Sequence, residues 1–209
     1  GLIVRNNGTV DVINRTFNVN GSSNNGIQAI GTTTKVEDKH SSFSITGSNS
    51  NGVYAGNGDV DLLGTTMTVN GENSNGIIVK TGGTVNIKKD TTYKPKFTVG
   101  GANSNGVYVT GGKTVAEISD TNFDVSGNGT GILVGDSGGA AKVSTIKDTT
   151  FTVNVDSAKD NDKHGTGIYM HNGQEVNIGE NFKMNNGNGD GNDIFITINN
   201  LKDNKIQFS

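Results

Sequence analysis

The chain of 209 residues contains no cysteine, which excludes disulfide bonds, thiolate metal sites and sulfur redox chemistry within it. Only 31% of its residues are hydrophobic, so a globular core built from them would be thin. No apolar run reaches the length of a signal peptide or of a membrane-spanning helix. The sequence therefore predicts neither a disulfide-rich domain nor a helical membrane segment.

An excess of charge of one sign is also lacking, because 17 basic and 20 acidic residues leave a formal net charge of -3. The longest basic run is Lys88-Lys89, whereas nucleic-acid-binding domains carry a basic patch or stripe. We therefore expect no nucleic-acid partner. The 32 glycines would weaken an amphipathic helix at many points, and no window of the sequence has helical periodicity.

What the sequence does contain is a repeat. Its clearest copy is the stretch 97–109, which reads Phe-Thr-Val-Gly-Gly-Ala-Asn-Ser-Asn-Gly-Val-Tyr-Val. Copies begin at positions 17, 43, 67, 97, 123, 151 and 182, so the intervals are 26, 24, 30, 26, 28 and 31 residues. A constant motif in a repeat of variable length is typical of a stacked solenoid.

Each copy holds three short pieces: Phe-x-Val, then Ile/Val-x-Val, then a piece with an inward valine, expected at positions 10, 36, 60, 85, 115, 143 and 176. Alternation with a period of two indicates half-buried strands, and the Asn-Gly and Gly-Gly pairs between them suit tight turns. These features predict an all-β, right-handed parallel β-helix with three sides and about seven rungs, open at its N-terminal end.

We expect a single domain over residues 1–209, with a truncated rung at 1–16, repeated rungs at 17–198 and a C-terminal end at 199–209. The start, Gly-Leu-Ile-Val-Arg, aligns with residues 76–80, which indicates that the sequence opens inside a rung and is excised from a longer protein. Insertions at 88–96 and 156–165 are expected to bulge from the stack, the first because it holds the only proline, which cannot donate to a strand ladder.

Irregular rungs of this kind, with Phe-x-Val-x-Gly followed by Asn-Ser-Asn-Gly-Val-Tyr, resemble the passenger domains of bacterial autotransporters, and the large fusobacterial surface adhesins in particular. The resemblance implies a signal peptide and a C-terminal membrane barrel outside this sequence, through which the full-length protein would be anchored in the outer membrane. It also implies an extracellular monomer without a cofactor, which binds a host-cell receptor, a glycan or the surface of a partner bacterium.

The second piece of each rung supplies the candidate binding face, because the residue between its two inward residues is usually large and apolar. Contiguous apolar stripes mark contact surfaces, and tyrosine stacks on a partner while its hydroxyl stays hydrated. The candidate binding residues are Tyr54, Ile78, Tyr108, Leu133, Tyr169 and Phe195. The candidate rim, from the first insertion, consists of Lys88, Lys89, Tyr93, Lys94 and Lys96. Alternatively, the outward aromatic residues only reinforce neighbouring strands.

The asparagine columns at 25, 51, 75 and 105 and at 49, 73 and 103 have a structural interpretation. Side-chain amides in register bond to one another along a stack of strands. The stretch Gly189–Phe195 resembles one copy of a calcium-binding repeat, but such sites take ligands from two successive turns. We therefore expect an amide ladder at this corner, a polar turn at 189–195 and no metal site.

Catalysis is expected to be absent. The outward Asp11, Glu37 and Asp61 stack only about 4.8 Å apart, which suits a repelling ladder better than an acid and a base with distinct pKa values. Parallel β-helices do host such enzymes, and a fold alone does not settle function. The alternatives to an adhesin are a β-helical polysaccharide-degrading enzyme or phage-tail depolymerase, and a purely structural spacer.

Overall fold

The structure is a computed structural model that describes residues 1–135, 141–154, 165–171, 175–186, 192–197 and 205–208. All the regular elements in this part of the chain are β-strands, and no helix there is long and apolar enough to cross a membrane. In chain order the strands are β1 (Leu2–Arg5), β2 (Thr9–Ile13), β3 (Thr16–Val19), β4 (Asn25–Ile30), β5 (Lys35–Lys39), β6 (Ser42–Ile45), β7 (Asn51–Gly56), β8 (Asp59–Leu63), β9 (Thr66–Val69), β10 (Asn75–Lys80), β11 (Thr84–Lys88), β12 (Lys96–Val99), β13 (Asn105–Val109), β14 (Val115–Ser119), β15 (Asn122–Ser126), β16 (Thr130–Val134), β17 (Lys142–Lys147), β18 (Thr150–Asn154), β19 (Thr166–His171), β20 (Glu175–Ile178), β21 (Lys183–Asn186), β22 (Asn192–Thr197) and β23 (Lys205–Phe208).

The strands form three sheets, one for each piece of the repeat. Sheet 1 has the order β1-β4-β7-β10-β13-β16-β19-β22, sheet 2 the order β2-β5-β8-β11-β14-β17-β20-β23, and sheet 3 the order β3-β6-β9-β12-β15-β18-β21. Neighbours within each sheet are parallel. Because consecutive strands join different sheets and every third strand pairs, the chain winds as a three-sided parallel β-helix, and the predicted fold class is confirmed.

The predicted register is confirmed over most of the chain and is wrong at two places. In sheet 2 the inward column passes through Ala116, which pairs with Val85 and is buried, and not through Val115 as predicted. In sheet 3 Met184 pairs with Phe151, so the last copy of the motif begins two residues after Phe182. Both errors arise because the alternation of apolar and polar residues is ambiguous by one or two positions where apolar residues flank a turn.

The core is a narrow column of aliphatic side chains with phenylalanine rings stacked along sheet 3. The stacked pairs are Phe17–Phe43, Phe97–Phe123 and Phe123–Phe151, with ring centroids 4.6, 4.8 and 4.6 Å apart. Met67 interrupts the column, since it pairs with Phe43 on one side and with Phe97 on the other. Ring planes within 14° of parallel follow from the parallel register, which places equivalent side chains one rung apart.

The corner between sheets 3 and 1 is built by the Asn-Ser-Asn-Gly motif. The predicted amide ladder is confirmed for the second asparagine, because Nδ2 of Asn51, Asn75 and Asn105 each donates to Oδ1 of the asparagine one rung earlier at 2.8 Å. The first asparagine instead adopts a positive φ, 53° at Asn73, and makes the turn. The serine between them adds a second ladder, since the Ser74 hydroxyl accepts from Ser50 N and donates to Gly47 O.

One carboxyl group lies inside this core. Asp38 is fully buried and stands in the inward column of sheet 2 between Val12 and Leu62. Ser41 and Thr65 hydrogen-bond to the carboxylate, but Oδ1 has no hydrogen-bond partner among the residues that the structure describes. Burial raises the pKa of Asp38 above its ordinary value of 3.8, and the hydrogen bonds offset only part of this effect.

Replacing Asp38 with leucine should therefore raise the free energy of unfolding at neutral pH by about 1–3 kcal/mol. Thr65 need not lose its partner, because Thr121 and Thr149 at equivalent corners donate to the carbonyl two residues earlier. Since the folded state holds the proton to a higher pH than the unfolded state, the wild type loses stability as pH rises from 3.8 through the raised pKa. Urea unfolding across this range should show the advantage of the Asp38→Leu variant growing with pH; an advantage that is independent of pH would contradict the assignment.

Candidate binding face

The predicted stripe exists as a continuous column on the outer side of sheet 1. Successive strands place its members in direct register from Ile3 and Gln28 onward, so each lies one rung from the next. The described side chains of the candidate stripe are Tyr54, Ile78, Tyr108, Leu133 and Tyr169. The backbone of Phe195 continues the column by pairing with Tyr169, whereas its side chain lies outside the described residues.

The members of the stripe are half-buried and not fully exposed. Tyr54, Tyr108, Leu133 and Tyr169 have intermediate exposure, and the prediction of a solvent-facing side chain is wrong for Ile78, which is only 6% exposed. Ile78 points outward, because the residues before and after it in the strand point inward. It is nevertheless covered, since the larger side chains of two tyrosines in adjacent rungs flank it on both sides. The surface is thus a shallow, closely packed band in which Ile78 lies lower than the tyrosines on either side of it.

A glycine determines how one of these rings lies. A Cβ atom added to Gly56 would meet Cε1 of Tyr54 at 2.6 Å and its Cζ and Oη at 3.3 Å. The phenol of Tyr54 therefore extends along its own strand and covers Gly56, whose missing side chain leaves the space. The position of this ring explains why β7 ends in glycine where β10, which has Ile78 in place of the tyrosine, ends in Lys80.

The stripe has different borders on its two sides. On the side where the strands begin it is bordered by the amide ladder of Asn51, Asn75 and Asn105. On the other side the next outward position holds Gly56 and Lys80 in neighbouring strands. In the strands of sheet 1 whose side chains are described, β1 to β19, the only lysine or arginine residues are Arg5 and Lys80, and no aspartate or glutamate occurs. The face is therefore almost uncharged.

The predicted rim does not border the stripe. The segment 89–95 connects β11 of sheet 2 to β12 of sheet 3, and it packs back along the corner between these two sheets. The Tyr93 ring meets the ring of His40 edge-on at 4.8 Å, and its Cβ covers Gly64. This corner lies opposite sheet 1 in a three-sided helix, so Lys88, Lys89, Tyr93, Lys94 and Lys96 belong to a different surface.

The same segment is anchored and does not project freely. Asp90 accepts hydrogen bonds from the backbone N–H groups of Tyr93 and Thr92, which lower the pKa of Asp90 to about 2, and it also contacts His40 Nε2. Lys89 Nζ lies 3.0 Å from an Asp120 oxygen one rung later. These contacts reach rungs on both sides of the insertion, and they could not be inferred from the sequence, in which His40 and Asp90 are fifty residues apart.

The carboxylates of sheet 2 stack as predicted. Asp11, Glu37 and Asp61 are in register on successive strands, and neighbouring cations accompany them, since Lys39 contacts Glu37 and Lys35 Nζ lies 3.5 Å from Asp61. Asp61 also accepts a hydrogen bond of 2.7 Å from the Asn86 amide one rung later. Compensated carboxylates one rung apart form a surface ladder, which offers no separated acid and base.

A shallow groove of about 260 Å³ lies further along sheet 2, where a β-bulge at Ser144 and Thr145 shifts the register. Glu117 pairs with Asn86 and Thr145 in this groove, Lys88 and Lys147 also line it, and Glu117 is the only carboxylate among its described lining residues. In the part of the chain that the structure describes, no group of three or more histidine, aspartate or glutamate side chains is placed to hold a metal ion. The geometry here offers one carboxylate and two cations.

Two sequence predictions fall outside the described residues. The insertion at 156–165 lies there except for its last residue, and so do residues 189–191 of the stretch that resembles half of a calcium site. Sequence reasoning missed Asp38, although a signal was present: the third piece reads Val-x-Asp there and Val-x-Leu or Val-x-Ile in the two following rungs.

Comparison of this chain with protein-family models, curated proteins and solved structures found no match.

Proposed function

We propose that this chain is a segment of a bacterial surface adhesin, which forms a stiff extracellular rod and binds host cells or partner bacteria through the outer face of sheet 1. The parallel stacking is the evidence for a rod, because eight strands in sheet 1 at about 4.8 Å per rung extend roughly 34 Å. Ladders of amides, hydroxyl groups and rings between successive rungs resist bending, as a display structure requires.

The observation that carries the proposal is the contrast between the sheets. The outer side of sheet 1 bears a continuous column of large apolar side chains on an almost uncharged surface. Sheet 2 bears a column of carboxylates with accompanying lysines, and sheet 3 bears short polar side chains such as Thr68 and Thr98. A face depleted of charge and enriched in tyrosine is typical of the centre of a binding interface.

The groove on sheet 2 is the feature that a second candidate, a β-helical enzyme that degrades polysaccharides, would use. A glycosidase of the usual kind uses two carboxylates across the scissile bond, whereas Glu117 is the one carboxylate among the described residues that line the groove. This candidate predicts that a Glu117→Gln variant abolishes the release of sugar from bacterial or plant polysaccharides. A spacer without a ligand, in turn, predicts that no substitution on any sheet changes adhesion.

The adhesin function is tested by replacing Tyr54 and Tyr108 together with serine. We expect attachment of the purified chain to host cells or partner bacteria to weaken by tenfold or more, about 1.4 kcal/mol, because the change removes two of the three described tyrosine rings of the face. A matched control replaces Thr68 and Thr98, outward on sheet 3, with serine and should attach like the wild type. Unchanged attachment of a folded tyrosine variant would contradict the proposal.

A further inference from the structure

The face of sheet 1 has a chemical periodicity that points to one class of ligand. Resting on the adhesin function proposed above, we infer that the stripe binds an extended, uncharged, β-1,4-linked glycan chain. The chain lies parallel to the helix axis, across the strands, and every second sugar ring stacks on a tyrosine.

The spacing of the tyrosines is the first argument. Along the column, Tyr54, Tyr108 and Tyr169 occur at every second rung, and Ile78 and Leu133 fill the rungs between them. With about 4.8 Å per rung, the rings repeat every 9.6 Å or so. In an extended β-1,4-linked chain each sugar is turned over relative to the last, so the same face recurs once per disaccharide. That repeat is close to two rungs, and an α-1,4-linked chain, which coils, does not match it.

The shape of the band is the second argument. The pyranose ring of a β-linked glucose-type sugar carries axial C–H groups on both faces, and such a face packs against the face of an aromatic ring. Tyr54 lies over Gly56 and fills the space of the missing side chain, so its ring lies close to the backbone of the sheet. Ile78, which is 6% exposed, lies lower than the two half-buried tyrosines with which it pairs. A shallow apolar band with a ring at every second rung fits a ribbon-like polymer better than a protruding protein loop.

Charge is the third argument. Among the described side chains of sheet 1, only Arg5 and Lys80 carry a full charge. A polymer of uronic acids or a sulfated glycan would need a row of cations beside the rings, and the described strands of sheet 1 hold no such row. A nearly uncharged surface suits the neutral hydroxyl and acetamido groups of glucan or N-acetylglucosamine chains.

The test is a titration of the whole chain with soluble hexasaccharides, namely cellohexaose and chitohexaose, with α-1,4-linked maltohexaose as the negative probe. We expect at least one β-1,4-linked hexasaccharide to bind ten times more tightly than maltohexaose. The matching disaccharide should bind at least tenfold more weakly than the hexasaccharide, because it reaches only one tyrosine. A Tyr108→Ala variant should lose tenfold or more in affinity, whereas Tyr93→Ala, which removes an exposed ring on the opposite corner, should bind like the wild type.

A Tyr108→Phe variant separates stacking from hydrogen bonding and should keep most of the affinity, since the ring face remains. If neither β-1,4-linked probe binds and attachment to cells still depends on Tyr54 and Tyr108, the ligand is a protein or another glycan. That result overturns the inference and leaves the adhesin function standing. If attachment to cells is independent of both tyrosines, the proposed function fails as well.

Discussion

Replacing Phe97 with alanine is expected to lower the free energy of unfolding by about 3–5 kcal/mol, the usual cost of removing a buried phenylalanine ring. Phe97 is fully buried, its ring stacks on Phe123 with centroids 4.8 Å apart, and it pairs with Met67 on the other side. The cavity would open between two fixed rungs, because the backbone ladders hold the neighbouring strands apart. Little collapse into the cavity is possible, so the cost should lie toward the upper end of this range.

Thr98→Ala is the matched control for this prediction. Thr98 is the next residue on the same strand, points outward and is partly exposed, so its loss should change stability by no more than about 0.5 kcal/mol. Urea unfolding followed by circular dichroism compares the two variants directly. Equal losses in the two variants would mean that the inward and outward sides of sheet 3 are assigned wrongly.

Replacing Gly106 with alanine should cost about 1–3 kcal/mol or more, even though it adds a single methyl group. The new Cβ would lie 2.6 Å from the carbonyl oxygen of Gly131 in the next rung and 3.1 Å from the ring of Phe123. A backbone oxygen fixed in a sheet cannot move aside, and the ring is held in the stacked column. The same contact recurs at Gly76, so glycine is required at this corner in each of these rungs.

The control for the glycine prediction is Gly112→Ala, in a turn of the same rung. A Cβ on Gly112 would meet nothing within 4 Å, so the substitution should be neutral or slightly stabilising through the unfolded state. Thermal unfolding of the two variants measures the difference. A Gly106→Ala variant as stable as Gly112→Ala would contradict the close approach of successive rungs at this corner.

The rung architecture could be predicted from sequence because every step of it is local. The period-two alternation in Phe97-Thr-Val and the Gly-Gly pair after Val99 define a strand and a turn within a few residues, and repetition then specifies the stacking. The Asn-Gly pair before Val107, which was predicted to be a turn, instead begins β13. The prediction failed by one residue at Val115, where Ala116 is also apolar and either could fill the core. The alternation of apolar and polar residues does not show which residue points inward when two consecutive residues are both apolar and small enough for the core.

The candidate site was less predictable for a different reason. The column through Tyr54 and Tyr108 follows from the predicted register, and the structure contains this column. The exposure of Ile78 depends on the size of side chains one rung away, and the position of Tyr93 depends on which corner the insertion folds along. Both are contacts between residues distant in sequence, so no local pattern indicates them.

The most direct test of the binding face is hydroxyl-radical labelling of the chain, free and bound to host cells or partner bacteria. Tyrosine is a reactive target, and the described chain offers an internal comparison. Tyr54 and Tyr108 lie on sheet 1, whereas Tyr93 is 56% exposed on the corner between sheets 2 and 3. We expect binding to lower the labelling of Tyr54 and Tyr108 and to leave that of Tyr93 unchanged. Protection of Tyr93 with unchanged labelling of Tyr54 and Tyr108 would contradict the account.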